Sequence, residues 1–430
     1  MNDFPKVHNT LMMNTLHGQV IVIPDNVLRD IERRDPAWMD KVPKKMKKII
    51  SEKFLVDNQE EDSEKLLETM NRKKNRKDIF SATILTTTRC NLECVYCYQG
   101  GVFDSSCDMN SETTGKVVQW ITNKVSNLKP KTLMIHLYGG EPLLNYKAIK
   151  ETVPPLREYC QHNGIGFSLF MTTNGSLLTP SRAKELKAYG LSIAQISLDG
   201  PPEVHDVRRP FKSSRKGTFQ LILKNIREIV DFVQVDVRVN LDYHNYESIP
   251  KLMDILVSEG LNKHPNFIFN IEIVSPIPNP NSHSTKYTFQ SDEEMTKIVW
   301  LWEEQMKRGF PVRGHMPTEG ACENMVKNCL TIDPVGNIYK CPGFVGQKEF
   351  MIGHIDSNQF YDKFQKLSEL RPWKNCLDCR YAPLCQGGCR LCAYSKNGKY
   401  DSIYCKRKFF DSCFPVFLKC KYGHRAIRRE

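Results

Sequence analysis

From residue 82 the chain switches repeatedly between two hydrophobic periods, and that switching restricts its fold more than any other feature. Apolar runs of strand character recur at ATILTTT (82–88), TLMIHLY (132–138), FSLFMTT (167–173), LSIAQISL (191–198), VQVDVRVNL (233–241) and FIFNIEIV (267–274). Between them lie stretches with helical spacing, such as SETTGKVVQWITNKV (111–125), SRAKELKAY (181–189) and YESIPKLMDILVSEG (246–260). A strand, a helix and a further strand in series form a parallel pair with the helix packed outside. Six such units predict an α/β fold, a partial (β/α)6 TIM-like barrel, open or partly closed. In such barrels ligands gather at the C-terminal ends of the strands. Residues just past each strand are therefore the candidates for chemistry.

The barrel is expected to span 81–310, with different material on either side. Residues 1–80 carry one β-like run, GQVIVIP (18–24), and helical patterns around DNVLRDIER and EEDSEKLLETMNRKK. They read as a small α+β appendage, serving either peptide recognition or capping of the barrel. Prolines and asparagines at 275–290 break the alternation and lead into a helix at 291–308. From 320 cysteines dominate and the alternation is lost, so 311–410 is expected to be a separate cysteine-rich domain. The basic, aromatic tail at 411–430 reads as a closing helix with a solvated tip, rather than as a nucleic-acid-binding segment.

No run approaches the roughly 18 apolar residues of a membrane span, and MNDFPKVHNTLMMNTLHG lacks the layout of a secretory signal. The expectation is a cytoplasmic protein with no membrane partner, where thiols stay reduced. Sixteen cysteines in that setting point to metal or redox chemistry rather than disulfides. The net charge of +12 suits an acidic partner, or merely lysines solvating the surface. The runs KKMKK (44–48) and NRKKNRK (71–77) are short and read as solvated faces.

Just after the first barrel strand, Cys90, Cys94 and Cys97 occur in TTTRCNLECVYCYQG with spacing Cys-x3-Cys-x2-Cys. A closed iron–sulfur or zinc site wants four ligands. Three thiolates on one loop can hold three irons of a 4Fe–4S cluster and leave the fourth iron open. Zinc would require a closed tetrahedral set, and no histidine lies nearby in the sequence to complete one.

These cysteines, with Tyr96 before the last of them, resemble those of the radical S-adenosylmethionine (SAM) enzymes. The likeness continues in order through YGGEP (138–142), TTNG (172–175) and SLDGPPEVHD (197–206), covering 82 to about 275. It implies that SAM chelates the open iron. Gly139, Gly140, Glu141 and Pro142 would meet its ammonium group, Ser197 and Asp199 its ribose and neighbouring groups, and Tyr96 its adenine. Asn174, Arg215 and Asn240 are further SAM contacts expected from strand-end position. Reduction of the cluster would cleave SAM to a 5′-deoxyadenosyl radical, which abstracts hydrogen from a substrate.

The C-terminal cysteines resemble a SPASM domain, an accessory iron–sulfur module carrying two auxiliary 4Fe–4S clusters, for three clusters in all. By that resemblance one auxiliary cluster would use Cys322, Cys329, Cys341 and Cys389, and the other Cys376, Cys379, Cys385 and Cys405. Cys107, Cys160, Cys392, Cys413 and Cys420 read as free thiols, with Cys392 and Cys413 as possible substitutes among the auxiliary ligands. Met295, Trp300 and Trp302 fall at helical spacing and read as packing.

The resulting expectation is a radical SAM peptide maturase that oxidatively modifies a ribosomally made precursor, forming a thioether or another crosslink. The alternative is an anaerobic sulfatase maturase forming formylglycine. That family carries a catalytic Asp where this chain has Pro342, which has no acid–base group, so no catalytic base is assigned. A non-catalytic iron–sulfur electron carrier is a remote third reading, with no use for GGEP and SLDG. The expected partners are a peptide or protein substrate and an acidic reductant of the flavodoxin or ferredoxin type.

Overall fold

The computed structural model describes residues 9–16, 18–55, 58–99, 107–275, 286–289, 291–312, 322–357 and 359–427. Most of the irregular stretch expected at 275–290, and the last three residues of the tail, lie outside them. The chain opens with an antiparallel hairpin, β1 (Asn9–Asn14) and β2 (Gln19–Pro24). Three helices follow: α1 (Asp25–Glu32), α2 (Lys44–Lys53) and α3 (Gln59–Lys74).

Six parallel strands then run in sequence order: β3 (Ile79–Leu85), β4 (Thr132–Tyr138), β5 (Gly166–Thr173), β6 (Leu191–Ser197), β7 (Gln234–Leu241) and β8 (Phe267–Ile273). This is the partial barrel that the alternation predicts. The helices between them are α4 (Ser111–Leu128), α5 (Tyr146–His162), α6 (Pro180–Ala188), α7 (Pro202–Arg208), α8 (Phe219–Ile229) and α9 (Ile249–Ser258). Alternate strand residues such as Ile84, Ile135, Leu169, Ile196 and Val237 are buried in one core with helix residues Trp120, Ile149, Leu186, Ile226 and Leu252. Each such side chain contributes about 1.5–3 kcal/mol on full burial.

The other strand face is polar, and its side chains are linked from strand to strand. His136 meets Thr172 (2.9 Å), the Thr172 hydroxyl donates to Gln195 (3.5 Å), and Gln195 and Asn270 both donate to Asp236 (3.0 and 2.6 Å). The strand period of two thus separates an apolar outer face from a hydrogen-bonded inner one.

After α10 (Asp292–Met295) and α11 (Lys297–Lys307) the strand–helix alternation ends as expected, yet the sheet itself continues into the cysteine-rich region. β9 (Cys329–Ile332) pairs parallel with β3, and β10 (Asn337–Tyr339) and β11 (Gly353–His354) add antiparallel strands beyond it, giving nine. Strands of four, three and two residues are too short to display a period. The C-terminal helices are α12 (Asp362–Glu369), α13 (Ala382–Cys385), α14 (Arg390–Asn397) and α15 (Arg407–Ile427). Met295 and Trp302 are buried in the main core, and Trp302 packs on Phe417 of α15 at 5.5 Å between ring centroids. Trp300 instead stays 40% exposed, so the packing role read for it is only partial. Among the described residues, no helix is long and apolar enough to cross a membrane.

Candidate active site and its cysteine sets

The loop after β3 is fixed before its cysteines are considered. Asn145 donates to the carbonyls of Thr86 (2.8 Å) and Met109 (2.9 Å), holding the end of β3 against the approach to α4. Arg89 makes a two-pronged pair with Asp108 (2.9 and 2.6 Å). Asn91 donates to the Ser176 hydroxyl (2.9 Å) and accepts from Asn174 (2.8 Å), so the turn after β5 holds the cysteine loop from its other side.

Against this loop lies the turn after β4. The Gly140 amide donates to the Thr87 carbonyl (3.1 Å) and the Glu141 amide to that of Arg89 (2.8 Å). A Cβ on Gly140 would stand 2.2 Å from the Arg89 oxygen, so only glycine permits this approach. Gly139 is also in the left-handed region, at φ +139°.

Cys90, Cys94 and Cys97 line a cavity of about 960 Å³ at the strand ends. Tyr96, Gly139, Gly140, Asn174, Ser197 and Asn240 line it too. The remaining predicted contacts are placed differently. Glu141 is fully buried, and its carboxylate accepts from Thr173 (2.8 and 3.0 Å), the Asn174 amide (2.7 Å) and the Leu143 amide (3.1 Å). That carboxylate braces the turn. Pro142 is also buried, its carbonyl accepting from Thr86 (3.1 Å).

Asp199 is fully buried behind Tyr96. It accepts from the Tyr96 hydroxyl and from the Asn240 amide (2.9 Å) and side chain (3.2 Å). Burial pushes its carboxyl up, but Arg209 and Arg208, with the hydrogen bond from Tyr96, outweigh burial and hold it below its ordinary value. Arg215 corrects the sequence expectation: its side chain is exposed, pairs with Glu93, and is not part of the cavity lining. Strand-end position alone misplaced it. Its neighbour in the motif, Arg209, reaches the site instead, donating to the Tyr96 hydroxyl beside Asp199. The signal for it was the double arginine of HDVRR (205–209).

Burial dominates the surroundings of the thiols, and several of them also lie near one another. Burial comes first in raising Cys94, to about 12, followed among the thiols by Cys97 and Cys90. Burial likewise raises Cys322 to about 11, with Cys389 next, while Cys341 is raised by burial, then Cys389 and Cys322. Cys329 is pushed up to about 12 by burial and then Glu323, and also feels Cys322. Cys385 is raised to about 11 by burial, then by Cys376, with Cys405 and Cys379 also contributing. Several thiols within each set that the family resemblance implies thus feel one another's charge. Cys413 is raised to about 12 by burial alone, and Cys392 lies against Cys389, to which its S–H donates.

Two further features hold the auxiliary sets in place. Gly387 (φ +81°) and Gly388 (φ +85°) turn the chain between Cys385 and Cys389. Arg390 is fully buried and donates to the carbonyls of Gly388 (2.9 Å), Tyr400 (3.0 Å) and Ser402 (2.7 Å). Its positive charge is placed near Cys322, Cys389 and Cys385, in both auxiliary sets.

This donor set fits iron–sulfur clusters. Among the described residues no three His, Cys, Asp or Glu side chains converge as a single ion requires. A cubane spreads its thiolates around four irons, and the thiols of each set are neighbours of that looser kind. All three thiols of the first set face a large cavity with a glycine wall, as a cluster that must accept a small molecule needs, and Cys389 of an auxiliary set reaches the same cavity.

Residues 84–256 match the family model described as the radical SAM superfamily. The radical SAM cyclopropyl synthase TigE of Paramaledivibacter caminithermalis is 24% identical, over 88% of this chain and 81% of its own. A cysteine-type anaerobic sulfatase-maturating enzyme of Clostridium novyi is 25% identical, over 76% and 92%. Of solved structures, anSMEcpe with bound AdoMet and the Cp18Cys peptide superposes with a TM-score of 0.62 at 19% identity, covering 80% of this chain and 99% of that one. Streptococcus suis SuiB bound to precursor peptide SuiA gives 0.54 at 14% identity, over 95% and 99%. The chain is an enzyme with a radical SAM domain, whose partial barrel is continued by a SPASM-like cysteine-rich region.

Proposed function

We propose that this enzyme acts on a peptide or protein, removing two electrons from a side chain presented in the barrel cavity. The observation that carries the reading is a single cavity reached both by Cys90, Cys94 and Cys97 and by Cys389 of an auxiliary set. When bound, the clusters and SAM would supply the one-electron reduction, the hydrogen abstraction and a sink for the second electron. The chain's own residues would hold SAM with Gly139, Gly140, Ser197 and Asn240, while Glu141, Asp199 and Arg209 fix the walls.

Two finer reactions remain, and the similarities weigh toward oxidation of a cysteine or serine to formylglycine. They include a sulfatase-maturating relative and a cysteine-peptide complex of like fold. Crosslink formation in a precursor peptide is favoured by Pro342, which opens a short helical turn where the sulfatase maturases carry their base. The cyclopropyl synthase relative and the precursor-bound fold neighbour also suit it. Anaerobic incubation with SAM, reductant and a cysteine peptide of each type separates the two. A hydrazide-reactive aldehyde marks formylglycine, whereas loss of two hydrogens without an aldehyde marks a crosslink. No 5′-deoxyadenosine with either peptide would overturn the proposal.

The division into appendage, barrel, cysteine-rich domain and tail belongs to the same proposal. In it β1 offers an edge to which an extended leader segment can add. The net charge of +12 suits an acidic flavodoxin or ferredoxin as reductant. Cluster reduction by such a carrier should slow as salt is raised; a rate indifferent to salt counts against it.

A further inference from the structure

On β7, Asp236, Arg238 and Asn240 alternate toward the barrel interior, and two of the three are fully engaged. Asp236 accepts from Gln195 and Asn270. Asn240 bonds Tyr96 (3.0 Å), Ser197 (3.3 Å) and Asp199. Arg238, between them, lines the cavity, yet its buried Nε has no hydrogen-bond partner. No carboxylate of the described residues lies in ion-pair range of it. The other two arginines that line the cavity are neutralised, Arg89 by Asp108 at 2.6 Å and Arg209 by Asp199 at 3.8 Å.

Arg238 is half-buried, with its Nε shut away from water and unpartnered, and a buried polar group left without a hydrogen bond is costly. A guanidinium left open toward a cavity is a preformed anion site, and its planar fork matches a carboxylate. Arg238 is in register with Ser197 and one inward-facing position deeper than Asn240. It therefore lies below the candidate SAM contacts rather than among them.

We infer that Arg238 binds a carboxylate of the substrate, an acidic side chain or a C-terminus close to the reacting residue, and so sets specificity. The inference rests on the proposal that the cavity admits a peptide. The other source of the same chemistry, the methionyl carboxylate of SAM, is separated by the test.

The anaerobically reconstituted full chain is titrated, with SAM present, against fluorescein-labelled cysteine octapeptides. These carry Asp or Asn beside the cysteine and a free or amidated C-terminus. The wild type should bind at least one carboxylate form about tenfold more tightly than its amide counterpart. Arg238→Gln should erase that preference while keeping SAM affinity, measured by equilibrium dialysis, within about twofold; Arg238→Lys should restore part of it. A wild type without preference overturns the inference and requires no variant. So does a preference that survives in Arg238→Gln, or a tenfold loss of SAM affinity there, which would assign the carboxylate to SAM. A chain that selects carboxylate peptides through Arg238 but forms no 5′-deoxyadenosine refutes the proposed reaction and leaves this inference standing.

Discussion

His205 uses both ring nitrogens inside the protein: Nδ1 accepts from the Asp199 amide (3.1 Å), which leaves Nε2 to donate to the Thr218 hydroxyl (3.1 Å). Full burial, then Arg209, lower its pKa to about 3. Between that value and about 6.5, the free imidazole's, the unfolded chain binds the extra proton. Stability linked to His205 is therefore complete above about pH 6.5 and is lost as the pH falls toward 3, at about 1.4 kcal/mol per pH unit. Unfolding free energies from urea titrations at pH 7 and pH 5 should differ by about 2 kcal/mol more in the wild type than in His205→Gln; equal differences would remove the linkage. At the cysteines, iron is the readout. About 12 irons are expected for three clusters, and Cys97→Ala or Cys385→Ala should each lower that to about 8. A wild type holding about 4 irons would remove both auxiliary clusters from this account. Single residues were unevenly legible. Cys90, Cys94 and Cys97 are marked by spacing, whereas the partners of Glu141 and Asp199 come together only once the five strands β3 to β7 are assembled. Arg238 was legible in principle, as one of the four alternating polar members of VQVDVRVNL, but a strand's polar face does not reveal which of its charges stays unanswered.

Elements of the barrel were legible because each strand is long enough to display its period and each helix buries a stripe. The site depends on how two loops meet, which no period reports. Residues 87–90 and 139–141 touch through backbone alone, with Gly140 the point of least clearance. Gly140→Ala must push the Arg89 carbonyl away and with it the first cysteine of the radical set. The expected outcome is a folded chain, since the outer core is untouched, whose iron falls from about 12 to about 8 and whose SAM binding is lost. Unchanged iron and SAM affinity would show that the contact can relax. β9 to β11 escaped the sequence for the opposite reason. Their length is set by pairing rather than by a hydrophobic period, and β9 carries Cys329 to a register opposite Ser81.

At the scale of the whole molecule, the first and last parts of the chain meet. Leu16, Leu66 and Met70 of the N-terminal region form one buried cluster with Met325, Trp373 and Ala382, against which Cys322, Cys376 and Cys379 also pack. Thr15 donates to the Arg380 carbonyl (2.8 Å), and Lys74 to that of Leu370 (2.8 Å) while lying over the Trp373 ring at 5.7 Å. The N-terminal region thus covers apolar surface lying between members of both auxiliary cysteine sets. Burying Leu16, Leu66 and Met70 together is worth on the order of 5 kcal/mol, comparable to the whole stability of many domains. Met70→Lys places a charge in that cluster while leaving β1 and β2 intact. It should lower the melting temperature and release iron from the auxiliary sets, and removal of residues 1–80 should do the same. If the truncated chain keeps both its melting temperature and about 12 irons, the N-terminal region does not serve as a cap. If it keeps its affinity for a precursor peptide as well, leader recognition by β1 falls with it. Loss of peptide affinity in the truncated chain, with Met70→Lys binding as the wild type does, would instead separate the two roles and assign recognition to the hairpin.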